Sequence, residues 1–174
     1  SLVLCLEPAL PGGALKTERK GRLVIRLEAS GKAAHAGTPE KGVNAVEELI
    51  GQLGRLKKIR TGETTVNIGR IRGGEKVNVV PAAAEAVLDI RFWRNSDKER
   101  IRAYFKDLEP SLRGAKIKAV IESVSPPMEW TRASAGLFAQ AREIAAGLGL
   151  ELASGRTGGG SDASIASSLG LPTL

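Results

Sequence analysis

Four stretches of this chain alternate apolar and polar side chains, and two stretches between them repeat apolar side chains at helical spacing. Their order limits the folds open to the chain. From Arg22 to Ala29, Leu23, Ile25, Leu27 and Ala29 fall on one face and Arg22, Arg26 and Glu28 on the other, the period-two pattern of a half-buried strand. Val46, Leu49, Ile50, Leu53 and Leu56 then recur as the buried stripe of a helix, which is predicted to end near Arg60-Thr61-Gly62 with Lys57, Lys58 and Arg60 at its negative end. A second strand is expected from Thr64 to about Ile71. A third runs from Glu85 to Trp93, with Ala86, Leu88, Ile90 and Phe92 opposite Glu85, Asp89 and Arg91. Ser96-Asp97-Lys98-Glu99 has the form of a capping box, and Ile101, Tyr104, Phe105 and Leu108 continue the helix it opens. A fourth strand sets Ala115, Ile117, Ala119 and Ile121 against Lys116, Lys118 and Glu122. Strand–helix–strand–strand–helix–strand is the split βαβ, ferredoxin-like arrangement, an α+β fold with both helices expected on one face of a four-stranded sheet.

The flanks read differently. Leu2-Val3-Leu4-Cys5-Leu6 is an apolar run expected to form a buried strand. Ser125-Pro126-Pro127 stops the fourth strand and reads as a linker. After it a helix using Leu137, Phe138, Ala141, Ile144, Ala145 and Leu148 is expected, then a short strand at Leu150–Ala153 and a helix reaching Leu169. These α/β flanks, residues 1–18 and 126–174, are expected to belong to one body, into which residues 19–125 are inserted. Neither terminus carries a polar tail, so the expectation is of a piece of a longer protein.

Composition narrows the function classes. Apolar residues make up 42% of 174, enough for a core, and no run is long enough to span a membrane. One cysteine forms no internal disulfide, so a reducing cytoplasm is the expected compartment. The net charge of +7 suits nucleic acid or small carboxylates. Aromatics at 3% are too few for base stacking, and the basic residues are spread along the chain, so no nucleic acid partner is expected.

Four places offer chemistry, and each also has a plain structural reading. Glu7 ends the first apolar run beside Pro8, where α/β proteins place ligands, but on this fact alone an exposed carboxylate at a strand end is the better reading. His35, the only histidine, sits among small residues in Gly31-Lys32-Ala33-Ala34-His35-Ala36-Gly37. It suits a donor to a carbonyl or oxyanion, or an ordinary surface side chain. Arg91 is a carboxylate fork or half of an ion pair with Asp89. Gly158-Gly159-Gly160 offers bare backbone N–H groups before a helix, or is a flexible turn. It is no phosphate loop, since no Gly-Lys-Ser/Thr follows, and Ser161 is no nucleophile elbow, since Ala163 stands in the last glycine's place. One histidine and one cysteine make no tetrahedral zinc site.

Gly31 to Gly37, Gly42-Val43-Asn44-Ala45, Val77-Asn78-Val79-Val80-Pro81, Asp89-Ile90-Arg91 and Thr157-Gly158-Gly159-Gly160-Ser161-Asp162 occur in that order. The set resembles the glutamate carboxypeptidase group of dinuclear zinc hydrolases, with acetylornithine deacetylases, succinyl-diaminopimelate desuccinylases and aminoacylases as relatives. The resemblance implies a ferredoxin-like dimerisation lid inserted in a catalytic domain that binds two zinc ions, and a homodimer. It implies that Glu7 is a metal ligand, and that His35 reaches the partner's active site to contact the scissile carbonyl. It further implies that Asn78 and Arg91 bind the substrate's carboxylate, and that Arg156, Gly158, Gly159 and Gly160 line the pocket. The group's His-x-Asp, bridging Asp, Glu-Glu pair and last histidine ligand have no counterpart in these residues, so the chain alone is expected to be inactive and to hold zinc weakly. The parent is expected to cleave an amide bond beside a free carboxylate, as in a C-terminal glutamate or an N-acyl amino acid. A stand-alone dimerisation, small-ligand or RNA-binding module is the alternative.

Overall fold

The structure is a computed structural model that describes every residue from Ser1 to Leu174. In chain order its elements are β1 (Leu15–Arg19), β2 (Gly21–Ser30), β3 (Ala34–His35), α1 (Ala45–Arg55), β4 (Thr65–Gly73), β5 (Val79–Val80), β6 (Ala83–Phe92), α2 (Asn95–Lys106), β7 (Lys116–Ser125), α3 (Arg132–Gly147), β8 (Ser154–Thr157) and α4 (Ala163–Ser168). They form two compact units, one of Leu23–Ile90 and Asp97–Val124, the other of Ser1–Arg22, Arg91–Ser96 and Ser125–Leu174.

The first unit is a mixed α/β domain on an antiparallel four-stranded sheet ordered β4-β6-β2-β7. Its chain order, β2-α1-β4-β6-α2-β7 with the two-residue β5 between β4 and β6, is the order that the hydrophobic periods predict. In the central strands the alternation is complete. Leu23, Ile25, Leu27 and Ala29 of β2 and Ala86, Leu88 and Ile90 of β6 are all at most 2% exposed, while Val24, Arg26, Val87 and Asp89 between them are half-buried. Leu49 and Leu56 from the α1 region and Ile101 and Phe105 from α2 complete the core.

Helix α1 departs from the predicted stripe. Ile50 is exposed, whereas Glu48 and Gln52 are buried on the core side with Ala45 and Leu49. Glu48 is fully buried because its carboxylate closes the turn ahead of β7. Oε2 accepts the backbone N–H of Ser111 at 2.8 Å and that of Leu112 at 2.7 Å, and Oε1 accepts from Gln52 Nε2 at 2.7 Å. Burial pushes this carboxyl up, but those hydrogen bonds and the charge of Arg55 outweigh it and hold it below its ordinary value. Asn44 caps α1, with Oδ1 accepting from Val46 N at 3.0 Å and Glu47 N at 3.2 Å.

In the second unit β1 and β8 pair in parallel, Leu15 against Ser154 and Arg19 against Thr157. Val3 bridges Thr173, also in parallel. The expectation of a buried first strand is not met: Val3 makes the run's only bridge, and Leu2, Leu4 and Leu6 are exposed, Leu6 almost fully. The strand expected at residues 150–153 lies instead at Ser154–Thr157. The start of α2 also differs. It begins at Asn95, and the acid at its N-terminus is Glu129, whose Oε1 accepts from Asn95 N at 2.7 Å and from Asn95 Nδ2 at 2.9 Å. No helix is long and apolar enough to cross a membrane.

Glu48→Ala should cost about 3 kcal/mol or more in urea unfolding, because it strands buried backbone donors. Since the folded carboxyl is held below its ordinary value, its contribution is present above the ordinary carboxylate range and is lost as the pH falls through the folded value. The unfolding midpoint of the native chain should therefore drop on acidification below that range, and Glu48→Gln should flatten the drop.

Candidate functional site

The loop after β2 is held by close backbone approaches. Gly31 lies against Val43, so that a Cβ there would collide with the Val43 carbonyl, and a Cβ at Gly42 would lie 2.8 Å from the Lys32 carbonyl oxygen. Lys32 and Val43 exchange backbone hydrogen bonds of 2.9 and 2.8 Å. Beyond this clamp β3 pairs antiparallel with β5, Ala34 against Val80 and His35 against Val79. Three consecutive N–H groups then secure the turn around His35. Ala36 donates to the Asn78 carbonyl at 3.0 Å, Gly37 to the His35 ring at Nδ1 at 3.0 Å, and Thr38 to the His35 carbonyl at 2.9 Å. His35, at the end of β3, and Asn78, just ahead of β5, thus adjoin, both exposed. A groove of about 520 Å³ opens beside them, lined by Ala36, Pro39, Val46, Val77 and Val79 among others.

Arg91, Arg156, Gly158 and Glu7 lie in the other unit. Arg91 Nη1 donates to the Gly158 carbonyl at 3.2 Å, tying the end of β6 to the glycine run. The Arg156 guanidinium lies 4.0 Å from the centroid of Trp93, and its Nε is 3.4 Å from Glu18 Oε2. Lys20 Nζ sits 5.3 Å from the same indole, so that one ring carries two cations. Gly158, Gly159 and Gly160 are exposed, with Gly159 N donating to Thr157 Oγ1 at 3.4 Å.

Glu7 is paired. Its Oε2 accepts from Arg19 Nη2 at 2.6 Å, and Arg19 is 4% exposed. The hydroxyl of Ser161 and the Arg19 guanidinium hold the Glu7 carboxyl below its ordinary value, against a smaller upward push from desolvation. Cys5 Sγ lies 3.5 Å from Ser161 Oγ and 3.9 Å from Glu7 Oε1. No three His, Cys, Asp or Glu side chains of the chain converge where a metal ion could bind. These residues do not make a metal centre, and Glu7 supplies at most one ligand to one.

The structure therefore brings His35 together with Asn78, brings Arg91, Arg156 and Gly158 together, and gives Glu7 an arginine. Sequence reasoning missed Trp93, Glu18 and Arg19. Trp93 was open to discovery, because it follows directly on β6, two residues beyond Arg91. Glu18 and Arg19 gave no signal, because their partners lie as far off as Arg156.

A model of the peptidase dimerisation domain, the M20 type, matches residues 17–109. The chain belongs to the M20 peptidase dimerisation-domain family. A probable carboxypeptidase of Aspergillus flavus is 40% identical over 92 residues, 45% of this chain and 22% of that protein. Another, of Paracoccidioides brasiliensis, is 36% identical over 94 residues, 46% of this chain and 21% of the other. Among solved structures, a tripeptidase from Staphylococcus aureus superposes with a TM-score of 0.75 at 24% identity, over 99% of this chain and 47% of that one. Aminopeptidase PepT from Bacillus cereus gives 0.74 at 24%, again over 99% and 47%. The chain thus spans about half the length of these solved relatives. A mixed α/β domain on an antiparallel sheet, the coarser part of the fold expected from the hydrophobic periods, and the family expected from the motifs are both borne out.

Calorimetric titration of this M20-type chain with zinc should show no tight site. Saturable uptake approaching the roughly 10 kcal/mol of small structural zinc domains would mean that donors converge in a way this structure does not contain.

Proposed function

We propose that this M20 dimerisation domain and its flanks are part of a zinc-dependent hydrolase that works as a homodimer and cleaves an amide bond beside a free carboxylate. The observation that carries the reading is the His35 loop. An exposed imidazole, clamped by backbone hydrogen bonds on a domain of the dimerisation family, suits a hydrogen-bond donor delivered to a site that its own residues do not complete. Relatives described as carboxypeptidase, tripeptidase and aminopeptidase support amide hydrolysis as the reaction class.

In this reading His35 donates to the oxygen of the scissile carbonyl and stabilises the negative charge that develops there. Asn78 and Arg91 bind the substrate's carboxylate, a role that a guanidinium fork fits well. Arg156, braced against Trp93, and the bare backbone at Gly158 to Gly160 line the pocket. The net charge of +7 draws carboxylate-bearing substrates towards the protein. Glu7 would give one oxygen to the metal, with Arg19 holding the other, and the remaining metal ligands and the general base would come from outside these residues. The metal would supply a nucleophilic water at neutral pH. An RNA-binding module is less well supported, because Phe92 is buried and Trp93 is covered by Lys20 and Arg156.

In the whole enzyme, His35→Ala should lower turnover by roughly a hundredfold or more, as loss of one oxyanion donor does. Folding stability should change by less than about half a kcal/mol, as at other exposed positions. Mixing this variant with Glu7→Ala tests whether His35 serves the partner. Each homodimer should be dead, while mixed dimers should regain up to about a quarter of the native activity by random pairing. Mixed dimers that form without any recovery would contradict action across the dimer.

A further inference from the structure

The His35 ring accepts a hydrogen bond from the Gly37 backbone N–H, 3.0 Å from Nδ1. A backbone N–H only donates, so Nδ1 must present a lone pair there. In the neutral imidazole the proton is then on Nε2. A proton on Nδ1 would face the Gly37 hydrogen and break one of the three consecutive bonds that shape this turn.

The residue at 37 also decides how near the ring can come. A Cβ at Gly37 would lie 3.1 Å from Nδ1 and 3.4 Å from Cε1. The first is tighter than an ordinary contact, so the ring would have to give by a few tenths of an ångström. Gly37 has no left-handed φ, so what the position needs from glycine is room, and no special backbone conformation is involved. We propose that Gly37 is a positioning residue whose N–H fixes neutral His35 as the Nε2–H tautomer. The exposed nitrogen is thereby a hydrogen-bond donor and is unable to accept a proton or to ligate a metal ion while that tautomer holds. This rests on the reading of His35 as the donor to the substrate carbonyl, and it adds how that donor is kept in the right form.

The test uses the chain as it stands, since its single histidine makes every imidazole signal that of His35. With uniform nitrogen-15 labelling and at a pH where the ring is neutral, the two ring nitrogens should resolve fully, with the proton coupled to Nε2. A scalar coupling across the hydrogen bond should join the Gly37 amide nitrogen to Nδ1. Ring shifts averaged between tautomers, a proton on Nδ1, or no such coupling would overturn the proposal. Gly37→Pro removes the donor and should let the ring shifts average, while amide signals outside the turn keep their positions. A folded Gly37→Pro chain with the Nε2–H tautomer still locked would also overturn it, and if that variant does not fold, the coupling in the unchanged chain decides alone. None of these readouts involves turnover. A chain that shows the coupling while His35→Ala leaves the whole enzyme's activity intact would keep the tautomer lock and remove only the catalytic reading.

Discussion

The larger sheet depends on the burial of two neighbouring strands, β2 and β6. Leu23, Ile25, Leu27, Leu88 and Ile90 are at most 1% exposed, and each such side chain is worth about 1.5–3 kcal/mol when removed from water. Because the period along a strand is two, a slip of one residue would turn this whole set outward, and the register is therefore fixed. The functional candidates inherit their places from that register. His35 follows within five residues of the end of β2 at Ser30, Asn78 stands just ahead of β5, and Arg91 falls near the end of β6. The apolar side chains set where these polar ones emerge, though they take no part in the chemistry.

Periodicity was legible in the sequence wherever burial alone decides the pattern. The alternation in β2 and β6 reads correctly to the residue, and the element order follows from it. Legibility fails where a polar group is buried for a local reason. Glu48 and Gln52 occupy core positions because a turn needs its backbone N–H groups satisfied, and Ile50 is left outside, so the α1 stripe is displaced from the apolar one. It fails again where a partner is remote. The acid that meets the start of α2 is Glu129, 34 positions from Asn95, and no local capping pattern could name it. The apolar run Leu2 to Leu6 reads as a buried strand because hydropathy reports what a segment can bury and carries no information on what is there to cover it.

The site shows the same division. The small residues around His35 announced an uncrowded ring, and the structure adds their cause: Gly31 and Gly42 let backbones approach, and Gly37 lets an amide reach the imidazole. What the sequence withheld was pairing over distance. Arg19 with Glu7, and Arg156 with both Trp93 and Glu18, are decided by which strands adjoin, and the parallel match of β1 with β8 is a tertiary fact. These pairings give the charged residues of that unit fixed positions and make Glu7 a carboxylate with one oxygen already engaged.

The proposed role of the four-stranded domain is to pair with a second copy of itself. Its two edge strands, β4 with nine residues and β7 with ten, offer unpaired backbone groups, and Ile71 and Val124 on them are exposed. Long edges of this kind are covered or paired in stable proteins, and a domain of the dimerisation family fits a second copy as the proposed cover. Sedimentation equilibrium of this chain decides whether it pairs. At tens of micromolar, roughly where an interface of standard size should hold, a species of twice the 18.3 kDa chain mass is expected; a single species at the monomer mass would contradict pairing.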